Sequence, residues 1–109
     1  MSNSVPIKVP FDSFEGATKY LINIELPGIA KKDVNIDISE NIISVKADKK
    51  APNNDYRKIH TKRLYGKIES RWGIPSDGDA EKITAALNDG LLTITIPKTK
   101  KREVKISIE

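Results

Sequence analysis

The sequence predicts an all-β domain, a sandwich of two sheets, and three observations carry that prediction. Isoleucine fills sixteen of the 109 positions. Its branched side chain is stiff and packs well on a pleated surface. Apolar and polar residues alternate with period two in six short segments, the pattern of a strand with one face buried. Turn residues separate these segments at a spacing of roughly 8 to 12 residues, as sandwiches require. Helix signals are confined to 30–34 and 79–83, one turn each.

Taken in order, Tyr20, Ile22, Ile24 and Leu26 alternate with Leu21, Asn23 and Glu25, which makes the first strand. Pro27-Gly28 breaks it with turn chemistry. Val34, Ile36 and Ile38 form one face of the next strand. After the tight turn of "SEN", Ile43, Val45 and Ala47 continue the face, so 34–47 reads as a hairpin. Residues 48–63 are polar and broken by Pro52-Asn53-Asn54. Loops of that length in small domains are usually functional. A strand returns at 66–74, with Ile68, Trp72 and Ile74 on one face, and Pro75 ends it. The clearest hairpin follows. Ile83, Ala85 and Leu87 lead into Asn88-Asp89-Gly90, whose residues suit positive φ, and Leu92, Ile94 and Ile96 lead out.

Composition bounds the function. With 38% apolar and 31% charged residues the chain suits one globular domain rather than a disordered segment. No apolar run approaches the roughly 18 to 20 residues that a membrane helix needs, and the first ten residues lack the layout of a secretory signal. Cysteine is absent, which excludes disulfides and thiolate ligands. These features favour the cytoplasm. The net charge of +4 is concentrated in 57–67 and in "KTKKR" at 98–102. Both read as solvated segments, so a nucleic-acid partner is disfavoured. His60 is the single histidine and stands in a basic loop without a nearby acidic residue. A metal or catalytic site would need a second ligand or an orienting group. No paired carboxylates and no phosphate-binding glycine loop occur. The expectation is a non-enzyme without cofactor or metal.

The last residues pose the sharper question. After Pro97 and the basic run, Val104, Ile106 and Ile108 again alternate with polar residues. They could form one more strand of the domain's own sheet. The charged linker argues against it, since a chain that folds straight back needs only a short turn.

Four pieces together resemble the small heat-shock protein, or α-crystallin, family. Ala85, Leu87, Gly90 and Leu92 in "AALNDGLLTITIP" match its signature hairpin. "ELPGIAKKDVNIDI" is similar to its strand, Leu-Pro-Gly turn and strand, and "YGKIESRWGIPSD" to its strand ending in an apolar residue and proline. "VKISIE" supplies an I-x-I tail. The likeness covers about residue 11 to the end. It implies an immunoglobulin-like sandwich over 11–97, preceded by a short arm at 1–10 and followed by a linker and docking tail at 98–109. It implies an ATP-independent holdase for partly unfolded proteins, working as an oligomer of dimers, with itself and its clients as partners.

By the same resemblance, 48–63 looks like the loop which, in the plant and archaeal branch, lends a strand to the neighbouring subunit. Tyr56, Arg57, Lys58 and Ile59 would form that dimer contact. Val104, Ile106 and Ile108 would dock in a neighbour's groove between sheet edges, lined by Val34, Ile36, Ile38, Ile83, Ala85 and Leu87. Ser70 and Gly73 flank Arg71-Trp72 where the family often has several basic residues, so its dimer salt bridges are not carried over. The arm is shorter than is usual for the family. Two rivals stand beside this reading. One is a basic β-module that stacks single-stranded nucleic acid on Tyr56, Tyr65 and Trp72. The other is a monomeric co-chaperone adaptor of the same fold, which the tail speaks against.

Overall fold

Seven strands form two antiparallel sheets in the computed structural model, which describes residues 6–52, 55–57, 59–60, 65–99 and 107–108. They are β1 (Phe11–Glu15), β2 (Lys19–Glu25), β3 (Val34–Ser39), β4 (Ile42–Lys49), β5 (Gly66–Gly73), β6 (Thr84–Asn88) and β7 (Leu91–Pro97). One sheet has the order β1-β2-β7-β6 and the other β3-β4-β5. The two expected helical segments are single 3-10 turns, Lys31–Asp33 and Ala80–Lys82.

The core follows from the alternation. Ile22 and Ile24 of β2 face inward beside Leu92, Ile94 and Ile96 of β7, and Ile43, Val45 and Ala47 of β4 meet them from the other sheet. β2 and β7 are the central pair, with Ile24 opposite Leu92 and Ile22 opposite Ile94. A one-residue slip would turn every one of these side chains to water, so burial itself pins the register.

Both tight hairpins use two-residue turns with positive φ at both positions. These are Glu40 (51°) with Asn41 (62°), and Asp89 (51°) with Gly90 (77°). That geometry matches the right-handed twist of the strands it joins. Gly90 is needed for a second reason. A Cβ there would stand 3.1 Å from Cα of Pro27, and its carbonyl accepts the Leu26 amide at 2.7 Å.

β1 was not expected as a strand, and its physics explains why. All five of its residues are exposed, so it carries no buried face and no alternation to read. It is held by its ladder to β2 and by Phe11, whose ring meets Trp72 edge-on at 5.3 Å. Before it, residues 6–10 cross the end of the sandwich. Ile7 bridges Ile68 in the parallel sense and donates its amide to Lys67 at 2.8 Å, and Pro10 accepts from Glu25 at 3.1 Å.

Candidate functional site

Stacking a four-stranded sheet on a three-stranded one leaves two sides where edges face each other. On one, β3 and β6 bound a groove of about 420 Å³. Val34 and Ile36 line it from β3, Ala85 and Leu87 from β6, and Leu92 contributes from β7. Its β6 wall carries two small side chains, Ala85 and Ala86. Val34 and Ile36 are only half-buried there, and Ile38, farther along β3, is 43% exposed. The groove unites four of the six residues proposed from the sequence. Ile38 and Ile83 are not among its lining, whereas Lys31, Ala86 and Asn88 are. Lys31 belongs to a helical turn that alternation does not reveal. Ala86 and Asn88 fall on the polar half of β6's alternation, which directs attention to the other face.

The remaining sequence candidates lie apart from it. Tyr56 (81% exposed) and Ile59 (88%) project into solvent, as does Arg57. Ile108 is 98% exposed. Lys58, Val104 and Ile106 lie outside the described residues. The signature hairpin is β6 and β7 with their turn. Its Leu92 is buried as the groove's floor, and Leu87 is half-buried on its wall.

A polar cluster that sequence reasoning missed fixes the root of the tail. The Tyr20 hydroxyl donates to Asp77 Oδ1 at 2.7 Å. Lys98 Nζ reaches Glu15 Oε2 at 2.7 Å and stands 4.9 Å above the Tyr20 ring. The Lys98 amide bonds Thr18, and the Thr99 amide bonds Asp77, at 2.8 and 2.7 Å. Hydrogen bonding to the Asp77 carboxylate pushes the Tyr20 phenol up to about 12, and desolvation and the charge of Asp77 and Glu15 act in the same direction. The partners are 57 and 83 residues apart in sequence, so only the fold brings them together. Lys98 and Thr99 are thus tied to the domain beyond β7.

Among the described residues no group of three His, Cys, Asp or Glu side chains could hold a metal ion, and no helix is long and apolar enough to cross a membrane. Trp72 is half-buried on the core with Phe11 against it, so it is not a free stacking platform.

The groove thus lies between facing edges of a two-sheet, antiparallel β-domain. The chain belongs to the Hsp20/alpha crystallin family, whose sequence profile matches residues 12–109. It is 32% identical over 101 residues to small heat shock protein C4 of Rickettsia felis, covering 88% of this chain and 62% of that protein. With the chloroplastic small heat shock protein of Pisum sativum it shares 28% over 103 residues, covering 94% of this chain and 44% of the relative. The chain therefore spans about half to two thirds of the length of these curated relatives. Among solved structures, the small heat-shock protein of Xylella fastidiosa superposes with a TM-score of 0.78 at 27% identity, covering 98% of this chain and all of that one. The expected α-crystallin sandwich is the fold observed.

Proposed function

We propose that the protein is an ATP-independent holdase chaperone that assembles as an oligomer of dimers through tail docking. One observation carries this reading: in a member of this family, the β3/β6 groove lies open while Ile108, in an I-x-I tail, is almost fully exposed. An extended segment with apolar residues two apart places both side chains on one face, which is how a strand enters such a groove. The Xylella relative is described as forming a distinct high order structure, which supports self-association here.

The energetics favour a reversible joint. Burying an isoleucine fully contributes roughly 1.5 to 3 kcal/mol, and ordering each tail residue costs about 1 to 2 kcal/mol. A single tail gains little. Many tails in a closed assembly act at high effective concentration and hold together. Heating releases them and opens the groove to apolar client segments.

The dimer contact is assigned to the loop at 48–63, where Tyr56 and Ile59 are exposed and apolar. Adding a strand across subunits would satisfy a sheet edge and close a two-fold interface.

The test combines Ile106→Ala with Ile108→Ala. Light scattering should show dimers in place of large oligomers, with Trp72 fluorescence reporting an intact sandwich. Full oligomeric mass in the double variant would return the tail to the domain's own sheet. Deleting 52–59 should yield folded monomers. Client scattering at near-stoichiometric chaperone, without nucleotide, should be suppressed by the parent chain.

A further inference from the structure

The segment 6–10 is held lightly for something that covers a sheet edge. Its contact with β5 is one isolated bridge, Ile7 to Ile68, with one amide donated to Lys67. Pro6 and Pro10 bracket it and offer no donors of their own, so the ladder cannot lengthen. Ile7 and Val9 are only half-buried. Unfilled space lies on both sides of it. A cavity of about 220 Å³ separates it from Pro27 and Ile29, and another of about 270 Å³ adjoins Pro6, Ala47 and Ile68. The segment is a strap, tied at Pro10 by the Glu25 amide.

The strap reads Ile7-Lys8-Val9, and the tail reads Val104-Lys105-Ile106. These are the same three side chains in mirrored order. The strap runs parallel to β5. A tail lying antiparallel in its place would set Ile106 where Ile7 sits and Val104 where Val9 sits. Antiparallel pairing is also the slightly stronger of the two. No proline follows Pro97, so a tail there could extend its ladder along β5 beyond the point where Pro6 and Pro10 stop the strap.

From this we infer that the strap's seat on β5 is a second acceptor, taking Val104, Lys105 and Ile106 of a neighbouring copy when the strap swings out on Pro10. The chain's own tail does not reach it. Thr99 is anchored beside Thr18 and Asp77, before β2 begins, and the seat lies past its far end at Glu25. The six steps from Lys19 to Glu25 along β2 span about 20 Å at strand rise, while the five steps from Thr99 to Val104 reach about 17 Å at full extension. The inference rests on reading the tail as a docking segment. It adds a competitor, the N-terminal strap, that decides when a second site is vacant.

The experiment uses a peptide of residues 102–109 with a benzophenone side chain at Ser107, photo-crosslinked to the full chain and mapped by mass spectrometry. The chain has no cysteine, so Ile7→Cys with Ile68→Cys gives one disulfide that locks the strap and a reductant that frees it. Adducts at the seat, around Ile29 and Ile68, should form on the parent chain. They should be lost in the oxidised variant, return on reduction, and increase in the Ile7→Ser, Val9→Ser chain, which needs no disulfide. Adducts in the β3/β6 groove should be unaffected by the lock. Seat adducts that are absent, or equal in oxidised and reduced samples, overturn the inference and leave groove docking intact. Seat adducts without groove adducts would instead sustain the inference and remove the β3/β6 reading.

Discussion

The two open sides of the sandwich begin from the same arrangement and end differently. Where β1 faces β5, the chain narrows the gap to about 200 Å³ with its own side chains: Phe11 meets Trp72, and Lys98 covers Tyr20. Where β3 faces β6, small side chains at 85 and 86 leave about 420 Å³ unfilled. One side therefore contributes to folding. The other contributes less and stays more open. Edge strands must be covered or they recruit other chains, and the β3/β6 side is the one proposed above to receive the tail.

The largest expected break in this comparison comes from the closed side. Trp72→Ala removes the ring that joins Phe11 to the core and should cost about 3 kcal/mol, the range for large aromatic truncations. Leu87→Ala on the open side, only half-buried, should cost about 1 kcal/mol. Denaturant unfolding of both variants measures the contrast, and equal losses would erase it. Next in size is an effect on assembly alone. Ala85→Glu puts a charge in the groove at an exposed position, so stability should stay within about 0.5 kcal/mol while oligomers fall to dimers by light scattering. A variant that keeps its mass would show that tails dock elsewhere.

These outcomes bear on what could be read beforehand. The strands of the core were legible because each has one dry face: Ile22 and Ile24, Ile43 and Val45, Ile94 and Ile96 are all buried where the alternation puts them. The turns at Glu40-Asn41 and Asp89-Gly90 were legible because short hairpins demand positive φ. β1 was not legible, since a strand exposed on both faces leaves no period. Nor was the strap, whose bridge to Ile68 depends on a partner 61 residues away. Of the proposed groove, Val34, Ile36, Ala85 and Leu87 converge on one cavity, while Ile38 and Ile83 sit beyond its lining. Alternation says which face a residue takes, but not how far along the strand the opposite sheet extends.

Two smaller predictions sharpen the closed side. Glu15→Gln breaks the pair with Lys98, whose side chain is 18% exposed while that of Glu15 is largely in water. The loss should be below about 1 kcal/mol and should shrink further in high salt. Amide exchange at Thr99 should quicken, because the tail's root loses one of its ties. The smallest effect appears only in alkali. The Tyr20 phenol is raised to about 12 from an ordinary value near 10, so the folded state holds its proton longer than the unfolded chain does. That stabilisation is fully present below about pH 10 and is lost as pH rises through about 12. Tyr20→Phe should lack this part of the decline. Denaturation midpoints compared across the window test it, and parallel declines would remove the role of Asp77.

The pairing of β2 with β7 also sets a schedule. Ile24 lies opposite Leu92, and the core's central seam joins segments from the two ends of the domain. Contacts so distant in sequence close slowly, on the order of milliseconds to seconds for all-β domains. During synthesis β1 to β6 emerge first and have no β7 to complete the seam. Leu92, Ile94 and Ile96 supply three of the buried core side chains and arrive last. Until Pro97 has left the ribosome, the chain is itself an unfinished polypeptide with apolar edges uncovered, in need of the protection its finished fold is proposed to give.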